Sequence, residues 1–151
     1  MKIENAKMRG FYTGLFAGFI GAIAVYISLM VSAMSGFHPD YAALLASERA
    51  IEFILYQLIY ELGQVGISGA VFGIFYSMFY EAIPGKGVKK SFIFGLIILL
   101  FSNLWWSSYN FLLGLLTGIE KFFWYSILWT GAVYFWPVYG IFLGIFYERW
   151  K

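Results

Sequence analysis

Residues 10–34 read GFYTGLFAGFIGAIAVYISLMVSAM, twenty-five positions without a charged side chain. A hydrocarbon layer about 30 Å thick needs roughly 20 helical residues. The run is therefore long enough to cross a bilayer, and too long for the apolar region of a secretory signal, which covers about 7–15 residues. Ser35-Gly36 is expected to end it, with the glycine as a left-handed cap. Further along, spans are expected over 53–82, 91–116 and 122–148. The second apolar block starts near Pro39, too early for one bilayer-length helix. A short interfacial helix near 40–50 is expected on the outer face, since Pro39 and Asp40 suit a helix start. Pro84-Gly85-Lys86-Gly87 reads as the turn that follows the second span.

The basic residues give this hairpin chain an orientation. Lys2, Lys7 and Arg9 precede the first stretch, Lys86, Lys89 and Lys90 lie between the second and third, and Arg149 and Lys151 follow the fourth. Only Arg49 and Lys121 fall in the other connections. Lys and Arg are retained on the cytoplasmic side, so both termini are expected inside. Hydrophobic residues make up 62% of the chain and charged ones 12%, whereas soluble domains carry about 45–50% and about 25%. The basic residues spread along one membrane face without forming a dense patch, which argues against nucleic acid as a partner. The absence of cysteine removes disulfides, thiolate nucleophiles and iron–sulfur ligation.

The chain resembles itself. GIFYSMFYE over 73–81 and GIFLGIFYE over 140–148 share six of nine positions. At the other helix starts, Phe11, Gly14 and Leu15 align with Phe92, Gly95 and Leu96 when Arg9 is set against Lys90. Both matches fall at equivalent places in successive two-helix units, so a tandem duplication with an axis along the membrane normal is expected. The fold class that follows is an all-α membrane protein, a single domain built as a four-transmembrane-helix bundle.

Small residues recur at fourfold spacing: Gly10, Gly14, Gly18 and Ala22 in the first span, Gly69, Gly73 and Ser77 in the second, Gly140 and Gly144 in the fourth. Lipid supplies no hydrophobic drive between helices, so close backbone approach over such ridges is a main source of packing energy. Most of these ridges are expected to hold one bundle together, and one is free to pack on another chain.

Polar residues inside the spans also align. Gln57, Glu61, Gln64 and Ser68 follow i, i+4, i+7, i+11 spacing, one face of an α-helix. Asn103, Ser107 and Asn110 form a second stripe in the third span. Counting 1.5 Å per residue pairs Glu61 with Asn110, Gln64 with Ser107 and Ser68 with Asn103, with Glu61 near the outer boundary. An ionisable residue within a span is a functional-site hypothesis by default. Two readings stay open, helix glue with Glu61 as its outer cap, or a solute or proton path.

The remaining polar and aromatic residues offer less. His38 is the only histidine and cannot supply a metal or haem ligand set alone. Glu81 and Glu148 are expected to pair with Lys86 and Arg149 at the inner boundary. Trp105 and Trp106 fall near mid-membrane, where they pack helices or line a lipid or quinone groove, while Trp124 and Trp150 fall where aromatic belts form. No Ser/His/Asp order, phosphate loop or HExxH is present, so neither enzymatic activity nor a cofactor is expected.

Gly69-x3-Gly73 with Phe75-Tyr76, then Pro84-Gly85-Lys86-Gly87 and a basic pair before Phe94-Gly95-Leu96, is similar to the YagU-like group of small prokaryotic inner-membrane proteins with four helices. The resemblance covers mainly residues 66–100. It implies a prokaryotic plasma-membrane location and supplies no catalytic residues. The expected function is an accessory or structural subunit of a larger membrane complex, or a homo-oligomer, with membrane lipids as surroundings. The alternatives are a small transporter or channel with a polar path at Glu61 and Asn110, and a lipid- or quinone-binding subunit of a respiratory assembly.

Overall fold

A computed structural model describes residues 3–35, 39–118 and 130–151. Among these, all regular structure is helical: α1 (Ala6–Met34), α2 (Pro39–Leu45), α3 (Ala50–Tyr60), a π-helical segment (Glu61–Gly66), α4 (Ile67–Phe79), α5 (Val88–Thr117) and α6 (Thr130–Arg149). Three helices are long and apolar enough to cross a membrane: α1, the continuous rod of α3, π segment and α4 from Ala50 to Phe79, and α5. The connection expected at 117–121 lies largely outside the described residues. So do the start of the fourth span at 122, Trp124, His38 and Gly36.

Helix α1 begins earlier than apolar patterning suggests, because its cap lies outside the apolar run. The Asn5 side chain accepts hydrogen bonds from the backbone N–H of Lys7 (3.0 Å) and Met8 (3.2 Å), which satisfies donors that the first turn leaves free. Lys7 and Arg9 therefore belong to the helix. The helix expected near 40–50 is α2, which stops at Leu45, before a bend through 46–49 where the Ser47 hydroxyl bonds to the Leu44 carbonyl. At the other end of the rod, Ala82 is in the turn and not in the helix. Gly87 (φ 52°) and Gly118 (φ 66°) take backbone conformations that favour glycine, at the start and end of α5.

Packing follows the small residues. Helix α1 runs closely along α4 and the π segment, and also along α6, while α5 runs along α6. A Cβ added at Gly10, Gly14 or Gly18 would meet the backbone carbonyl of Gly73, Gly69 or Gly66 respectively. Between α5 and α6, a Cβ at Gly95 would lie 2.5 Å from the Trp136 carbonyl oxygen, and one at Gly140 would lie 2.7 Å from that of Ser91. Around these contacts sits an aromatic core that includes Tyr76, Phe94, Phe135, Trp136, Tyr139 and Tyr147. Among the hydrogen bonds that tie α6 to its neighbours are Tyr139 Oη to the Gly69 carbonyl at 2.8 Å and Trp136 Nε1 to Ser102 Oγ at 3.0 Å.

Candidate functional site

The polar residues of the second span sit where its winding changes. Tyr60 ends α3, and Glu61 opens the π segment. Gln57 Nε2 donates to Glu61 Oε1 at 3.1 Å, and both residues are buried, at 8% and 6% exposure. The carboxylate thus has its donor one helical turn before it on the same rod.

The single polar face expected from Gln57 to Ser68 is not what forms. Gln57 and Glu61 are buried, Gln64 is exposed and Ser68 is half-buried. The cause is the π segment. Its i→i+5 hydrogen bonds take in more residues per turn than an α-helix does, so a spacing that aligns side chains on an α-helix rotates them apart here. The glycine that opens outward within the segment, Gly63, has no atom within 4 Å of where its Cβ would be. Gln64 is therefore an amide on the uncovered side of the rod, beside exposed Tyr60 and Ile67.

Rung-by-rung pairing with α5 is also not the observed arrangement, since α5 runs along α6 and not along the rod that carries Glu61. Asn110 is buried at 3% exposure and Asn103 is half-buried. Trp105 is 78% exposed. The side chains of Trp106 and Ser107 are not among those described.

The depth of this locus follows from the glycine register. Gly18 lies roughly 12 Å along α1 from Gly10, and Gly66 packs against Gly18. Gln64 then lies roughly 15 Å from the level of Gly10, and Glu61 roughly 20 Å, at about 1.5 Å per residue or slightly less. A count from Ala82 gives about 30 Å, because Ala82 lies in the turn beyond the level at which Gly10 meets Gly73 and Ser77.

A second cluster, at the end carrying the termini, goes beyond the residues that periodicity singles out. Arg9 is 8% exposed, and its guanidinium lies 5.0 Å from the centre of the Tyr147 ring; its Nε and Nη1 are buried without hydrogen-bond partners among the described residues. Lys90, 9% exposed, has its Nζ 4.1 Å from the centre of the Tyr80 ring and donates to the Tyr80 carbonyl at 2.6 Å. The two tyrosine rings stack on each other with centroids 5.1 Å apart. Each cation is thus met by an aromatic face, an attraction that strengthens when water is excluded. Tyr80, just beyond α4, donates its hydroxyl to Glu148 Oε1 at 2.5 Å. Burial, and then that carboxylate, push its phenol up to about 12.

The acids here differ from expectation. Glu81 lies 3.9 Å from Lys90, not beside Lys86, and the observed partner of Glu148 is Tyr80. Arg149 follows Glu148 directly, and adjacent residues on a helix do not face each other. A signal for the cluster is present in the repeat. The alignment of the two similar stretches sets Arg9 against Lys90 and Tyr80 against Tyr147, and Arg9 meets Tyr147 while Lys90 meets Tyr80.

Among the described residues no group of three or more His, Cys, Asp or Glu could hold a metal ion. Comparison with protein-family models, curated proteins and solved structures finds no match for this chain.

Proposed function

We propose that this protein is a four-span integral membrane protein with no catalytic role of its own, working as an accessory subunit that packs against another membrane chain or a further copy of itself. Both termini and the 83–90 turn face the cytoplasm in this reading, and α6 supplies the fourth crossing. The two hairpins, α1 with α4 and α5 with α6, are duplicates. The crosswise Arg9–Tyr147 and Lys90–Tyr80 contacts support that, because they exchange under the same alignment as the glycines.

Gln64 carries the subunit reading. Its side chain is exposed, roughly midway through the hydrocarbon by the glycine register, and no hydrogen bond of its amide is found among the described residues. An unsatisfied amide in hydrocarbon costs several kcal/mol, whereas an amide bonded across a helix interface contributes about 1–2 kcal/mol. A partner helix over the Tyr60, Gly63, Gln64 and Ile67 face removes the cost, and open space at Gly63 lets its backbone come close.

The transporter alternative draws on one observation, that the buried acid Glu61 opens a π segment, a feature frequent at functional sites. Against it, the carboxylate is already bonded to Gln57. The test uses the cysteine-free background. A Gln64→Cys variant carrying a photoactivatable maleimide should cross-link in native membranes to a partner chain, while Leu112→Cys on the open face of α5 should not. Cross-linking to lipid alone from position 64 would refute the subunit reading.

A further inference from the structure

Under the repeat alignment α1 corresponds to α5 and α4 to α6, so the contact between α1 and α6 should have a counterpart between α5 and α4. The first is closed. Phe16 packs on Phe146 and Trp150 with centroids 6.2 and 5.6 Å apart, and the backbones run close together. The second is open. The backbones of α4 and α5 stay apart, and long side chains bridge them near one end, Tyr76 to Phe94 at 5.4 Å and Lys90 to the Tyr80 carbonyl. Beyond that bridge lies a cavity of about 300 Å³ lined by Phe75, Phe79, Ile83, Phe94, Ile97, Ile98 and Phe101.

The lining is wholly apolar, and Phe75, Phe79 and Phe101 are exposed along it, so the cleft opens sideways into the surrounding hydrocarbon. From Phe94 to Phe101 its α5 wall is roughly 10 Å long, most of the depth of one leaflet. Lys90, Phe94, Ile97 and Phe101 follow i, i+4, i+7, i+11 spacing, one face of α5. The face thus runs from a basic end to an apolar interior. Next to Lys90, in the turn before α5 and in its first turn, Lys86 and Lys89 are exposed and have no ion pair among the described residues.

The geometry points to an anionic phospholipid as the occupant, one acyl chain lying in the cleft between α4 and α5 and its phosphate held by Lys86 and Lys89. This rests on the membrane reading above. An apolar chain fits a wall with no polar atom to satisfy, and basic side chains at the cytoplasmic surface attract anionic headgroups with an effect of about fivefold in affinity per residue.

Native mass spectrometry of the full chain released from mild detergent tests this, titrating phosphatidylglycerol and phosphatidylcholine separately. The wild type should retain one phosphatidylglycerol, held more tightly than phosphatidylcholine. Lys86→Ala with Lys89→Ala should weaken phosphatidylglycerol binding by up to about 25-fold and leave phosphatidylcholine unchanged. Ile97→Trp, which fills the cleft, should weaken both lipids; Ile98→Phe is a smaller filler that serves if the tryptophan variant does not fold. Equal retention of the two lipids by the wild type, or wild-type retention by a folded cleft-filling variant, would overturn the assignment. So would a dimer that the fillers disrupt without any lipid adduct. Release of the wild type from membranes by alkaline carbonate would instead show that the membrane reading had failed.

Discussion

Replacing Gly73 with alanine adds a single methyl group where the α1–α4 contact is tightest. The new Cβ would lie 2.6 Å from Gly14 Cα and against the Gly10 carbonyl. Both are backbone atoms, so no side chain can swing away. Carbon atoms rest about 3.5–4.0 Å apart, which requires the helices to separate by about 1 Å. A gap of that size forfeits a quarter to a half of each dispersion contact along the seam, a seam that includes Gly14, Gly18 and Gly69. Overpacking of this kind costs about 1–3 kcal/mol, or about 5- to 150-fold in the folded-to-unfolded ratio. Val71→Ala is the control on the same rod, since Val71 is half exposed on its uncovered side, and its effect should stay within about 0.5 kcal/mol. The assay is reversible unfolding of the purified chain in mixed detergent micelles, followed by far-ultraviolet circular dichroism. Equal stability of the two variants would refute the glycine seam as a contact surface.

Further consequences are open to similar tests. Tyr139→Phe deletes the bond to the Gly69 carbonyl and should lower stability in the same assay by about 0.6 kcal/mol and at most about 1.7, with helicity unchanged. Glu61→Gln keeps the acceptor that Gln57 uses, so assembly should be unaltered; loss of a reconstituted ion flux in an otherwise intact Glu61→Gln assembly would promote the transporter alternative. Ser35→Cys, at the outer end of α1, should react with an impermeant maleimide on intact cells, and reaction only after permeabilisation would invert the proposed topology.

Much of the fold is legible in the sequence because bilayer physics writes itself into composition. A charge-free run as long as 10–34 suits a membrane crossing and little else, and glycines at fourfold spacing mark faces where helices come close. Helix ends are less legible, since Asn5 caps α1 outside the apolar run. The site reads less well, for two physical reasons. A face drawn at α-helical periodicity assumes uniform winding, and nothing in Glu61–Gly66 announces the π turn that carries Gln64 away from Glu61. Periodicity also says which residues share a face without saying which helix lies opposite, so it sets α5 against the wrong neighbour. The Arg9 and Lys90 pairings are hidden because a basic residue at a span end reads first as a topology signal. Only three-dimensional packing turns it inward onto a tyrosine ring.

The subunit reading stands on Gln64, and the mass of the assembly extracted in mild detergent tests it most directly. The wild type should elute well above its 17.3 kDa monomer mass plus bound detergent, and Gln64→Leu should shift to the monomer with its helicity intact, because leucine removes the amide that bonds across the interface. A wild type that is monomeric under the mildest extraction, or a Gln64→Leu variant that keeps the full assembly, would contradict it.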